Sequence, residues 1–473
     1  MKEKKIQLFK PIDMTEGTPW KKIAAFAIPM LIGNIAQQLY STVDSIVVGR
    51  YVGDNALAAV GNAFPIYNLL LVLFIGVSTG ATILVSQYIG AKDREGLSNS
   101  IGASILLAFL VSIVIMLVGP LISKPVLRLI STPDSIMKWS ADYLVILFLG
   151  VLGMAFYNML TGILRGLGDS LSALLFLLVA TVLNIILDIT FVKYFKMEVA
   201  GVAWATIISQ FVSAVLCFIK VSRMTKFFDL KWKYVRLSRK YSLDIVRLGL
   251  PSGLAQAIFS LAMVVVQRLT NSFGEMIIAA NAIVMRIDGF AMMPNFSFSA
   301  AMTTYAGQNL GARKLDRIEK GTRQGMLLTT GVAAVLVGII LLFGRHLMGI
   351  FTETEELVTI SNRFMKILAV GYIAMGFSQV YQGVMRGVGD TITPMWIGVI
   401  TTVVIRVPLA YLMAYLTRSA EYPHGRFEIL PISLLIAWII GAVLSVVFYK
   451  AGKWKKQFTQ MKEREKKEEK EAE

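Results

Sequence analysis

Two aspartates, Asp44 and Asp188, stand within long apolar stretches of this 473-residue chain. A carboxylate placed in lipid costs roughly 3 kcal/mol, so it rarely sits there without a partner or a task. Tyr40 precedes Asp44 by four residues, which puts both on one helix face. Asn34, Gln37 and Ser41 extend the same polar stripe. Asn184 and Asp188 repeat the four-residue spacing further along. Two carboxylates side by side cannot both be charged cheaply. Such a pair can take up a proton, or chelate Na⁺ together with oxygens of Asn184 and Thr206. The plainer reading is that each aspartate merely reaches the membrane interface, which lies about 6 Å away at the helical rise per residue.

Other polar residues carry weaker signals. Arg286 and Asp288 fall near the middle of one apolar stretch, two positions apart, so they do not face each other. Arg406 lies in the middle of another. The three can line a cavity, with Asp288 as a second cation or substrate site, or they can be structural ion pairs between helices. Arg268 lies near a helix end and is expected to snorkel. Met285, Met292, Met293, Phe290, Phe296 and Phe298 suit either an adaptable ligand surface or plain lipid and core contact. His346 and His424 are far apart and lack metal-ligand spacing. Cys217 is the single cysteine, so the chain forms no internal disulfide.

The elements that must hold these side chains are membrane helices. Apolar residues make up 56% of the chain and charged residues only 16%, well below the roughly 25% of soluble domains. Stretches such as residues 101–118, 171–192 and 326–343 each match the roughly 20 residues that cross a bilayer. The pattern predicts twelve spans: 23–48, 56–89, 99–119, 140–163, 171–192, 200–219, 246–270, 277–307, 325–343, 365–385, 395–416 and 431–449. The net charge of +17 sits in loops, where anionic lipid rather than nucleic acid is the expected neighbour. Lys2, Lys4, Lys5, the stretch 220–247, Arg313, Lys314 and the final residues hold most of the Lys and Arg. Both ends are therefore expected in the cytoplasm. Pro29, Pro65, Pro251 and Pro294 can kink their helices.

An internal repeat organises the spans. Gln87-Tyr-Ile-Gly-Ala-Lys92 matches Gln308-Asn-Leu-Gly-Ala-Arg313, and Arg165-Gly-Leu-Gly-Asp169 matches Arg386-Gly-Val-Gly-Asp390, both at an offset of 221 residues. Each repeat holds six spans, so the halves share one orientation, with a cavity expected between them. The expected divisions are a cytoplasmic segment 1–22, a six-helix lobe 23–219, a basic linker 220–247, a second lobe 248–449 and a charged tail 450–473. Gly-x-Gly-Asp also occurs in intramembrane aspartyl proteases, so Asp169 and Asp390 admit an enzymatic reading. Their place at helix ends beside arginines favours a structural turn.

As a set, the six-helix halves, the Gln-x-x-Gly-Ala-Lys/Arg element and the Arg-Gly-x-Gly-Asp turn resemble the multidrug and toxic compound extrusion (MATE) family. The resemblance covers about residues 20–450. It implies an all-α polytopic membrane protein of the MATE or MOP type. In that fold, twelve transmembrane helices form two pseudo-twofold-related six-helix bundles arranged as a V. Within the family the chain resembles the DinF-like branch at Tyr40, Asp44, Tyr143, Asn158, Asn184, Asp188 and Thr206. It departs from the NorM-like branch, which places a Glu in the seventh span and an Asp in the tenth. Here those spans offer Gln256 with Ser260, and Gly376, Ser378 and Gln379.

The resemblance implies efflux of organic molecules by alternating access, coupled to H⁺ or Na⁺ and not to a bound cofactor. Asp44, Asp188, Asn184, Tyr40 and Thr206 are the expected coupling residues, with Na⁺ possible at the first three. Gln37, Tyr143, Asn158, Gln256, Arg286, Asp288 and Gln379 are the expected cavity residues. Expected partners are lipophilic or cationic small molecules and the bilayer of the inner membrane. The expected state is a monomer with no enzymatic activity. A flippase for lipid-linked saccharides shares the superfamily architecture and stays open through Arg286 and Arg406.

Overall fold

Long apolar runs become helices because, in lipid, every backbone N–H and C=O must be paired within its own segment. The structure is a computed structural model describing residues 10–452, except the side chains of Ser41, Ser45, Asp54, Leu69, Leu70 and Leu73. Lys2, Lys4, Lys5, the tail past residue 452 and the Ser41 side chain lie outside the described residues.

The helices are α1 (Pro19–Tyr51), α2 (Asp54–Gly90), α3 (Arg94–Leu129), α4 (Asp134–Leu149), α5 (Val151–Gly166), α6 (Ser170–Ile189) and α7 (Glu198–Ser222). They continue as α8 (Arg239–Asn271), α9 (Glu275–Gly311), α10 (Leu315–Gly349), α11 (Glu355–Gly387), α12 (Ile392–Val399), α13 (Val407–Leu416) and α14 (Ile429–Ala451). Ten helical segments among the described residues are long and apolar enough to cross a membrane, and α4 with α5 makes an eleventh as a pair bent by 52°. α2, with its apolar part Phe74–Gly90, stands where the second span is expected. Large apolar side chains such as Leu121, Leu342 and Leu117 are exposed, as they are on helices solvated by lipid.

Three local features depart from plain helices. The fourth expected span breaks at Gly150, where an added Cβ would come 1.8 Å from Cγ2 of Ile207 on α7. The sequence reading made this span continuous, because a single glycine in an apolar run gives no strong break signal. A π-helical turn, Thr190–Tyr194, follows α6 two residues after Asp188. Another, Ile400–Arg406, joins α12 to α13 and ends on Arg406.

The chain divides into two compact units. The first comprises residues 1–16, 25–253 and 311–313; the second comprises residues 17–24, 254–310 and 314–473. The basic stretch 220–247 thus belongs to the first unit, where it is pinned to the start of α3. Arg94 donates to Asp229 Oδ1 at 2.9 Å and Oδ2 at 3.0 Å, and to the carbonyls of Thr225 and Lys226. Asp229 N donates to Ser98 Oγ at 2.9 Å. In the second unit, Arg317 donates to the carbonyl of Gly17 at 2.8 Å, and Trp20 N to Gln324 Oε1 at 2.9 Å.

The repeated turns are helix stops. Gly168 and Gly389 both have φ of 93°, a conformation that favours glycine. Gly168 N donates to Arg165 O and Asp169 N to Leu164 O, and Gly389 and Asp390 repeat this with Arg386 and Met385. That is the paired hydrogen-bond signature of a Schellman C-terminus. Asp169 then accepts from Ser172 N and Oγ and pairs with Lys220 at 3.3 Å. Asp390 accepts from Thr393 N and Oγ1. Both aspartates are engaged in capping the next helix, which is what the structural-turn reading requires.

Candidate functional site

The first unit gathers a polar cluster from three helices: α1 brings Tyr40 and Asp44, α6 brings Asn184 and Asp188, and α7 brings Thr206. Asn184 and Asp188 are fully buried, and Asp44 is partly exposed. With its amide nitrogen turned toward the carboxyls, Asn184 donates to Asp44 Oδ1 at 2.9 Å and to Asp188 Oδ2 at 3.0 Å. The shared amide nitrogen thus brings the two carboxyls together in one site. Asp188 Oδ1 is buried with no hydrogen-bond partner among the described residues. A buried acceptor left open in this way is rare and suits a proton or a small cation.

Around this core, the Tyr40 and Thr206 hydroxyls share a hydrogen bond at 3.1 Å. Tyr143 is 7% exposed and lies within electrostatic range of both carboxyls. Tyr67 on α2 lies in range of Asp44 and donates to Met154 Sδ at 3.1 Å. Sequence reasoning missed Tyr67. Its one available signal was the repeat, which sets Tyr67 opposite Asp288.

The remaining candidates make other contacts. Asn158 Nδ2 donates to Met154 O within its own helix, and its carbonyl accepts from Ser78 and Thr161. Gln37 is exposed on α1. Gln256 is exposed on α8, with its carbonyl accepting from Ser260. Gln379 is 8% exposed, with its carbonyl accepting from Ser299. In the second unit, Asp288 accepts from the Tyr372 hydroxyl at 2.8 Å and Arg406 is 6% exposed, while Arg286 is exposed. Of the two arginines behind the flippase reading, Arg286 is exposed and Arg406 is buried. Among the described residues, no three His, Cys, Asp or Glu side chains form a metal cluster.

Comparison with known proteins agrees with this architecture. The "Probable multidrug resistance protein YoeA" of Bacillus subtilis is 29% identical over 84% of this chain and 88% of its own length. The "Probable multidrug resistance protein NorM" of Thermotoga maritima is 27% identical over 94% of this chain and 95% of its own. The solved outward-facing conformation of a multidrug resistance MATE family transporter of the MOP superfamily superposes with a TM-score of 0.87. That match is at 25% identity and covers 96% of this chain and 99% of that one. The MatE family model matches residues 29–190 and 251–412, one stretch in each repeat. The chain belongs to the MATE family of multi-pass multidrug efflux transporters.

Proposed function

We propose that the protein exports lipophilic or cationic organic molecules from the cytoplasm in exchange for external H⁺ or Na⁺, with Asp44 and Asp188 as the coupling pair. The observation that carries this reading is the Asn184 amide bridging both carboxyls beside the open Oδ1 of Asp188. When the ion arrives, the charge on the pair changes and the hydrogen bonds that tie α1 to α6 are rearranged. A change that stabilises one arrangement of these helices over another shifts an inward–outward equilibrium. Substrate binding to the opposite state releases the ion, and the ion gradient drives export by alternating access. In this reading the protein acts as a monomer in the inner membrane with both termini in the cytoplasm.

The test is efflux of a fluorescent lipophilic cation from vesicles, with pH and Na⁺ gradients imposed separately. Wild-type protein is expected to respond to one of the two. Asp44→Asn and Asp188→Asn are each expected to lose most gradient-driven export, because an amide carries no ionisable charge for the ion to neutralise. Wild-type coupling in both variants would overturn the assignment.

A further inference from the structure

The second unit holds a partly open cavity of about 70 Å³, bounded by α8, α9, α11, α14 and the π-helical turn that ends on Arg406. Arg406 is 6% exposed, yet its Nη1 donates to the thioether of Met263 at 2.9 Å and its Nε is buried with no partner among the described residues. It forms no ion pair among the described residues. A thioether is a weak acceptor, so the buried guanidinium lacks the anion its charge calls for. Asp288 lines the same cavity and is held by the Tyr372 hydroxyl. The two charges act on each other without touching. The rest of the wall includes Phe364, Leu368 and Leu434.

The repeat gives the cavity its context. The offset of 221 residues carries Tyr67 onto Asp288, Tyr143 onto Phe364 and Ile185 onto Arg406. It carries Asp44 and Asp188 onto Val265 and Leu409. The second unit thus has apolar residues where the first has its carboxylate pair, and carries one negative and one positive group at the positions of Tyr67 and Ile185. A π-helical turn at that point is the kind of local irregularity that accompanies binding sites.

We propose that this cavity binds a small amphipathic zwitterion, with its acid group on Arg406, its ammonium on Asp288 and its apolar body against Phe364, Leu368 and Leu434. A simple organic anion would leave Asp288 facing like charge, and a simple cation would leave Arg406 unanswered. A zwitterion satisfies both with charge-assisted hydrogen bonds. A free amino-acid-like solute and a phosphoethanolamine lipid headgroup share this chemistry. The inference stands apart from ion coupling at Asp44.

The experiment is calorimetric titration of the full-length protein in phosphatidylglycerol nanodiscs with L-phenylalanine, phenethylamine and 3-phenylpropionate. These probes share an aromatic body and differ in which charge they carry. Phenylalanine is expected to bind about tenfold tighter than either single-charge analogue. Arg406→Gln is expected to erase the preference over phenethylamine, and Asp288→Asn the preference over phenylpropionate. Arg406→Lys, which keeps the charge, retains part of it and decides the matter if Arg406→Gln does not fold. Equal binding of the three probes to wild type, no phenylalanine binding, or an unchanged preference in the variants would overturn the proposal. In discs containing phosphatidylethanolamine, weakened phenylalanine binding identifies the lipid headgroup as the occupant, and unchanged binding identifies a soluble zwitterion. Missing phenylalanine binding alongside Asp44-dependent export counts against the cavity alone; Asp44-independent export counts against the coupling site alone.

Discussion

Asn184 spends its amide on two carboxyls at once, so its loss has consequences for both. Asn184→Ala leaves Asp44 and Asp188 facing each other without a donor between them. A hydrogen bond to a charged group contributes about 1.5–3 kcal/mol, and Asn184→Ala is expected to destabilise the protein by that order. Tyr40→Phe removes the hydroxyl bond to Thr206 and is expected to cost about 1 kcal/mol. Thermal unfolding in detergent ranks the two, and a larger loss for Tyr40→Phe would contradict the bridging role of Asn184. Among these residues, Asp44, Asp188, Asn184 and Thr206 were legible because polar groups in apolar runs are conspicuous. Tyr67 was not, because tyrosine is at home both in cores and at interfaces. Nor was the pairing of Arg406 with Met263, since a contact between residues 143 positions apart leaves no trace in local spacing.

The stretch 220–247 reads in sequence as a solvated linker because it is rich in Lys and Arg. Its element-level role is different: the segment after α7 lies along the start of α3. An added Cβ at Gly102 would come 2.1 Å from the carbonyl oxygen of Tyr234, so only glycine permits this approach. Gly102→Ala and Arg94→Ala are both expected to raise hydrogen exchange across residues 223–238 severalfold without abolishing the helices, because opening here is local. Unchanged exchange in both would show that the clamp holds nothing. The Arg94 guanidinium holds the Asp229 carboxyl below the usual carboxylate range. Protection from this pair is therefore present at neutral pH and lost as pH falls through and below that range. Helix positions were readable from apolar runs, and the helix stops from Gly-x-Gly-Asp. The bend at Gly150 and the two π-helical turns were not, because they answer to tertiary packing and not to composition. The residue that the repeat sets opposite Gly150, Gly371, lies inside continuous α11, where an added Cβ would come 2.5 Å from the Trp438 ring.

For the molecule as a whole, the duplication explains why two similar bundles carry different chemistry. The shared turns and helix lengths preserve the frame, while the polar residues inside each frame have diverged: a carboxylate pair with a bridging amide in the first unit, an unpaired arginine and an aspartate in the second. The division into units was only partly visible, because residues 17–24 belong with the second unit and residues up to 253 with the first. Nothing in the order of the chain announces that exchange. In the proposed cycle the pair binds the ion and surrenders it when cargo binds, since linkage between two ligands is reciprocal. The direct measurement is the ion released by purified protein when saturated with a transported lipophilic cation, read as protons in weak buffer and as ²²Na⁺ in parallel. Wild type is expected to release about one ion of one kind per molecule, and Asp44→Asn and Asp188→Asn none. Release of wild-type size from both variants would place the coupling site elsewhere.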